Sequence, residues 1–414
     1  MHKTVAWRSA IVVLLMLALV TWVTPVVLAQ VKITFWHAMS QSHQQALKAL
    51  TEKFMTENPD IEVELVYQGN YGALNQKLIA STAAGQPPTM SQMYEDWTAM
   101  LLRADALVPL EPYFSNTIVR DLPESLLESN TYDLVLTTLP FNKSAMVLYY
   151  NTDLIETPPA TWDELYEIAQ ELTVDLDGDG TIDQYGFGLR AYPEMFSVFF
   201  RQAGGQFLSP DMGKARFNSE AGVSALQFLR KMKDVSLFQS AYLSDVFGGG
   251  KVAMYIGSSA GIPFVARASE GNHGWSAAPL PAGPVNSQSM IQGTNLGVFR
   301  KASPEQISAA ARYIEFLLRE ENTVFWAEET GYLPVTVSAI RSGMWEGYLD
   351  NNPAVRATSD ELLDGFVYPH HAEWFGIRNL IGNALELVLL DRATPEEALS
   401  IAAAKVNELL AKGG

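Results

Sequence analysis

From Val31 to Trp36 the chain reads as a β-strand. Leu47, Leu50 and Phe54 then share one face of a helix predicted over Gln41–Glu57, with Asn58-Pro59 as its stop. Ile61, Val63 and Leu65 alternate with Glu62 and Glu64, the pattern of a half-buried strand. Strand, helix, strand at this spacing is a βαβ unit and implies a parallel sheet, because parallel neighbours need a crossover. A second helix begins at Asn70, carries Leu74, Leu78 and Ile79, and ends at Gly85. The segment Leu139–Asn151 has a different character. Pro140 fixes φ and breaks what precedes it, Asn142 and Ser144 favour local side-chain-to-backbone bonds, and Ala145–Tyr150 is a continuous apolar run. Such a run predicts a strand covered on both faces. Its small polar residues at the entry suit a polar ligand better than core packing.

Further along, Thr161-Trp-Asp-Glu164, Ser303-Pro-Glu-Gln306 and Thr394-Pro-Glu-Glu397 are capping boxes that mark helix starts. Val252, Met254 and Ile256 alternate as a strand after Gly248-Gly-Gly250, and Ser276–Ser289, rich in Pro and Gly, reads as an irregular crossover. The pattern is α/β throughout.

The first residues stand apart. Lys3 and Arg8 precede an apolar run from Ala10 to Val20, and Val27-Leu28-Ala29 offers small residues for cleavage. This is the form of a secretory signal peptide over residues 1–29, with Gln30 as the mature start; an uncut membrane anchor is the other reading. The 414-residue chain has no cysteine, so an exported form relies on a full-size core and carries no acylated cysteine. The expectation is a freely diffusing periplasmic protein. Net charge is −18, and loss of Lys3 and Arg8 makes it more negative, which argues against nucleic acid and anionic membrane as partners.

Several motifs hold candidate chemistry. Gly248-Gly-Gly-Lys251 lacks the leading Gly and the following Ser/Thr of a phosphate-binding loop and is set aside. His370-His371 with Glu373 lacks the spacing of a metal site. Gly257-Ser-Ser259-Ala-Gly261 matches a nucleophile elbow, with a strand before it and Pro263 placed to open a helix; a serine hydrolase using Ser259 would need His273, His370 or His371 as its base. Asp175, Asp177, Asp179 and Asp183, with Gly180 between them, match the start of a calcium loop, although Gly186 stands where the bidentate Glu belongs. These four are the candidate ligands of a structural calcium ion; no other cofactor is expected. Tyr71 after Gly69-Asn70, and Tyr332 after Gly331, set aromatic rings beside turns, where they can stack on a sugar or glyceryl surface.

Leu139–Asn151 resembles the start of the second lobe in the extracytoplasmic solute-binding proteins of ABC importers (family 1). Within them it resembles most the glycerol-3-phosphate and glycerophosphodiester-binding branch. Phe35-Trp36-His37, Gly69-Asn70-Tyr71, Tyr94-Glu95, Gly257-Ser258-Ser259 and Thr330-Gly331-Tyr332-Leu333-Pro334 match in the same order along nearly all of the mature chain. The resemblance implies an α/β fold of two lobes, the maltose-binding-protein-like type II arrangement with a hinge and an interlobe cleft. It places the first lobe at residues 30–140 and 292–335 and the second at 141–291 and 336–414. It implies ligand contacts at Tyr71, Glu95, Ser144, Ser259, Gly293, Tyr332 and Arg378, with Ser258 as the alternative to Ser259. Arg378 would take phosphate oxygens, Glu95 glycerol hydroxyls. The implied protein is no enzyme. It would be a monomer that passes glycerol-3-phosphate, a glycerophosphodiester or, as the alternative, a neutral oligosaccharide to membrane permease subunits. Lys143, Gly188–Pro193 and Thr294-Asn295 depart from the relatives and put the ligand's size in question.

Overall fold

Residues 30–413 are described by the computed structural model. The expected signal peptide at 1–29 lies outside them. Strand β1 (Val31–His37), helix α1 (Gln41–Glu57) and strand β2 (Ile61–Tyr67) form the predicted βαβ unit, β1 and β2 pairing in parallel from Val31 opposite Ile61. Helix α2 (Tyr71–Ala83) starts where Asn70 caps it, the Asn70 side chain accepting the Ala73 N–H. Strand β3 (Met90–Met93) then leads directly into helix α3 (Glu95–Arg103).

Strand β4 (Leu139–Asn151) is the longest, at 13 residues, and includes the segment read as a tight entry. Pro140 is tolerated there because it lies opposite Asn295, beside a register shift between Thr294 and Asn295 where the ladder is already irregular. The remaining strands are β5 (Tyr185–Leu189), β6 (Ser236–Phe238), β7 (Val252–Ser258), β8 (Trp275–Ala278) and β9 (Ile291–Val298). Helix α4 (Pro193–Gln202) follows β5, α5 (Ile262–Ser269) follows β7, and α6 (Glu320–Thr330) and α7 (Trp374–Leu389) lie beyond β9.

The strands join in the order β2-β1-β3-β9-β4-β7-β5-β6, with β8 also on β4. The sheet is mixed rather than parallel. Its flanks are parallel, but β9 and β7 run antiparallel to β4. The stretch expected as irregular from Ser276 begins as β8, antiparallel to β4, before its prolines end the strand. Ser303 and Thr394 form reciprocal capping boxes, whereas the Glu164 carboxylate reaches past Thr161 to the Ala160 N–H.

Two large apolar cores, with two smaller clusters beside them, define two lobes. Phe35, Phe54, Leu139, Phe141, Leu296 and Trp326 belong to the first; Met146, Leu148, Phe187, Phe196, Met254 and Ile377 belong to the second. Strand β4 contributes to both. Trp345, Leu349, Val355 and Leu362 pack in the first core, and Phe366 in the second. The segment after Val335 thus packs on α6 and the first core, with Ala354 in a smaller cluster beside β8, before Phe366 reaches the second core. Among the described residues no helix is long and apolar enough to cross a membrane.

Gly293 in β9 sits at φ +106°, and a Cβ there would come within 1.8 Å of the Asn142 carbonyl oxygen. Both the left-handed backbone and the contact exclude a side chain. Gly293→Ala should lower stability by roughly 3 kcal/mol or more, read as a shift of the urea midpoint with an unchanged slope.

Candidate functional site

Between the lobes lies a cavity of about 630 Å³ lined by Tyr71, Glu95, Ser144, Ser258, Gly293, Tyr332 and Arg378. Each comes from an element end or a shared strand. Tyr71 is the first residue of α2 and Glu95 the first of α3. Tyr332 follows Gly331, which ends α6 at φ +77°; a Cβ on Gly331 would stand 2.8 Å from Pro263 of α5, so a glycine lets the lobes meet there. Arg378 lies on α7. Six of the seven positions named from the resemblance thus share one cavity.

Ser259 is the exception. It is fully buried, and its Oγ accepts the Ala145 N–H at 3.2 Å. Ser258 takes its place on the cavity wall, its Oγ donating to Ser144 Oγ at 2.9 Å. The strand–turn–helix context of the elbow is real, since a short 3₁₀ turn over Ser259–Gly261 joins β7 to α5. The base is not assembled: both His273 ring nitrogens contact backbone carbonyls, of Gly274 and Phe247. Among the described residues no histidine is hydrogen-bonded to Ser259.

The tyrosines are tied down. Asn142 Nδ2 donates to the Tyr71 hydroxyl at 3.0 Å, and that hydroxyl lies 3.5 Å from the Tyr332 hydroxyl. Tyr332 stacks parallel to Trp326 with centroids 6.2 Å apart, and Tyr94 meets Tyr71 edge-on at 5.2 Å. Burial raises the pKa of the four phenols that line the cavity, Tyr71, Tyr94, Tyr332 and Tyr368, so they stay neutral.

The charges are mostly paired. Lys143, fully buried, donates to Glu95 Oε1 at 3.0 Å and to the Gly293 carbonyl at 3.3 Å, and Asn295 Nδ2 donates to the same Oε1 at 3.1 Å. Arg378 Nη2 contacts Glu194 Oε1 at 2.5 Å. Burial opposes the Arg378 charge, but Glu194, Tyr368 and Asp96 together raise its pKa. Three residues that line the cavity carry a buried polar atom without a protein partner, Asn75 Oδ1, Trp374 Nε1 and Arg378 Nε, and so does Asn295 Oδ1 beside Glu95. Sequence reasoning missed Glu194 and Asp96, which also line the cavity. The signals were present, in Pro193 opening a helix ahead of Glu194 and in a second acid beside Glu95 at a helix start.

The other candidates lie outside the cavity. His370 stacks on Tyr132 at 4.5 Å, and Glu373 pairs with Arg103 at 3.3 Å, so neither joins a metal cluster. In the acidic loop the ligand atoms of Asp175, Asp177 and Asp183 lie within 4.8 Å of one another. Asp179 drops out of that set; its Oδ1 accepts the Thr181 N–H at 2.7 Å.

Asp96 yields a test. Burial first, then the Glu95 charge, raise its pKa to about 6. A raised carboxyl pKa favours the protonated form in the folded state, so its contribution is full below the unfolded pKa and is lost as pH climbs to about 6. Asp96→Asn should therefore be more stable than wild type at pH 8 by up to about 3 kcal/mol, with the advantage gone at pH 3.5, in paired urea melts.

The model for bacterial extracellular solute-binding proteins matches residues 49–357. The sn-glycerol-3-phosphate-binding periplasmic protein UgpB of Salmonella typhimurium is 28% identical over 416 positions, covering 92% of this chain and 93% of its own. Its Escherichia coli K12 counterpart is 27% identical over 410 positions, covering 91% and 92%. Among solved structures, the cyclic alpha-maltosyl-1,6-maltose binding protein of Arthrobacter globiformis superposes with a TM-score of 0.83 at 23% identity, covering 93% of this chain and all of the other. UgpB of Mycobacterium tuberculosis, in complex with glycerophosphocholine, does so with a TM-score of 0.78 at 22% identity, covering 92% and 98%. The two structures show the same two-lobed fold around a cleft, and with the family match over most of its length the chain belongs to the bacterial extracellular solute-binding proteins.

Proposed function

We propose that the protein is the periplasmic substrate-binding component of an ABC importer, a monomer that captures a glycerophosphodiester or glycerol-3-phosphate between its lobes and delivers it to a permease. One observation carries the reading. Residues from α2, α3, β4, β7, β9, α7 and the turn after α6 converge on one cavity around Arg378, whose Nε is buried without a partner. A phosphate oxygen would take a charge-assisted bond from the part of the Arg378 guanidinium that lines the cavity, and glycerol hydroxyls suit the Glu95 carboxylate and the serines. The similarity to UgpB proteins over nearly the whole chain supports the same class. The ligand's extra contacts favour the closed state, with β4 as the shared strand about which the lobes turn.

A neutral oligosaccharide is the second reading, favoured by the acidity of the walls. Glu95, Asp96 and Glu194 line the cavity with Arg378 as their facing cation. The same imbalance favours a singly charged phosphodiester over a dianionic monoester.

Arg378 decides between them. Arg378→Ala should weaken binding of glycerophosphocholine at least a hundredfold, on the order of 3 kcal/mol, and Arg378→Lys should restore only part, because a point charge loses the fork geometry. Calorimetry with glycerophosphocholine, glycerol-3-phosphate and maltose reads the outcome. Maltose binding to wild type without either phosphate would overturn the phosphate reading and favour the sugar.

For the acidic loop we propose a structural calcium ion held by Asp175, Asp177 and Asp183. Chelator should lower the melting temperature and leave ligand preference unchanged, and Asp177→Ala should remove the chelator's effect. Identical melts with and without chelator would leave the loop a solvated acidic turn.

A further inference from the structure

Lys143 acts on the cavity only through other residues. Its side chain is 1% exposed, yet it contacts two groups of the cavity wall, the Glu95 carboxylate and the Gly293 carbonyl. Its own carbonyl accepts the Leu333 N–H at 2.8 Å, which holds the strand-like segment after Tyr332. Stability does not account for it. A buried ammonium loses its hydration, and an apolar side chain of similar volume packed against a neutral partner would serve at least as well. The detail that matters is which Glu95 oxygen it uses. Lys143 Nζ and Asn295 Nδ2 both converge on Oε1. Among the described residues Glu95 Oε2 receives no hydrogen bond. The carboxylate is thus held by one oxygen, with the other left as an acceptor on a side chain that lines the cavity.

We infer that Lys143 is a positioning residue for ligand selection: by occupying Oε1 it orients Glu95 so that Oε2 accepts a hydrogen bond from a ligand hydroxyl, and it thereby selects ligands that present a hydroxyl donor at that point. A site built to pair with a hydroxyl rejects an analogue that lacks it, because a buried acceptor is then left unsatisfied. Without Lys143 the Glu95 side chain keeps only the Asn295 amide and can turn. The discrimination then fades even though no ligand-contacting residue has changed. The choice of a glycerol probe rests on the ligand class proposed above.

The test is calorimetry on wild type, Lys143→Met, Glu95→Gln and the double variant. The probes are glycerophosphocholine, its analogue lacking the sn-2 hydroxyl, its analogue lacking the sn-1 hydroxyl, and maltose. Wild type should prefer glycerophosphocholine over at least one deoxy analogue by tenfold or more, and Lys143→Met should shrink that preference to within about threefold. Since Lys143 acts through Glu95, the double variant should bind about as Glu95→Gln does, a strongly non-additive cycle. A merely structural lysine would weaken all ligands alike and leave the preference intact, and additive losses would equally overturn the inference. If Lys143→Met alone does not fold, the double variant, in which both partners are neutral, is compared with Glu95→Gln, and a further loss of about tenfold or more overturns it. If wild type binds maltose and not the phosphodiester, the ligand class is wrong. The same four-variant cycle on maltose then decides the role of Lys143 by its additivity.

Discussion

Everything at the cleft depends on one strand being shared by two cores. On β4, Leu139, Phe141 and Ala145 pack in the first core and Met146 and Leu148 in the second, while Val147 and Tyr149, which alternate with them, pack in a smaller cluster with Val252 and Tyr255 of β7. The strand cannot shift along its length without disturbing both, because a slip of one residue turns every side chain to the opposite face. Asn142, Lys143 and Ser144 sit just before the change of core. Each reaches a different part of the wall: Asn142 holds the Tyr71 hydroxyl, Lys143 holds Glu95 and the Gly293 carbonyl, and Ser144 accepts from Ser258. A single stretch of backbone thus sets the relative positions of groups contributed by both lobes. The same stretch explains Gly293, since β9 must pass so close to Asn142 that a Cβ has no room.

The electrostatics follow from that crowding. Two acid–base pairs, Lys143 with Glu95 and Arg378 with Glu194, are largely withdrawn from water. Neither is a strong argument for stability, because desolvation offsets much of the attraction. Their effect is to hold side chains with many rotamers in one geometry before a ligand arrives, which lowers the ordering cost of binding. The groups left over are informative. Among residues lining the cavity, Arg378 Nε and Trp374 Nε1 are buried donors and Asn75 Oδ1 a buried acceptor without protein partners. A polar ligand that brings both an acceptor and a donor complements this wall better than an apolar one.

Local patterns in the sequence were enough for the individual elements. Leu47, Leu50 and Phe54 marked α1, the alternation of Ile61, Val63 and Leu65 marked β2, and Ser303 and Thr394 marked helix starts, because periodicity and capping are properties of neighbouring residues. Long-range pairing was less accessible. The mixed sheet, the strand hidden in Trp275–Ala278 and the return to the second core all depend on partners far away in sequence. Pro140 illustrates the limit: its missing N–H argues against a strand until the bulge at Thr294 and Asn295 is placed opposite it.

The same division holds at the cleft. Residue type and order by themselves determined the α/β class, the resemblance to solute-binding proteins and most of the residues that line the cavity, since motifs beside turns keep their local chemistry wherever the chain takes them. Only the tertiary structure decided between Ser258 and Ser259, because adjacent serines differ solely in which one is turned to the buried Ala145 N–H. Only it brought Glu194 onto Arg378 and put the Lys143 ammonium behind Glu95 rather than in the cavity. Ion pairs between residues so distant in the chain leave no local signature: Glu194 meets Arg378 because α4 packs on α7 in the second lobe, and Lys143 meets Glu95 because β4 lies one strand, β9, away from the β3–α3 junction.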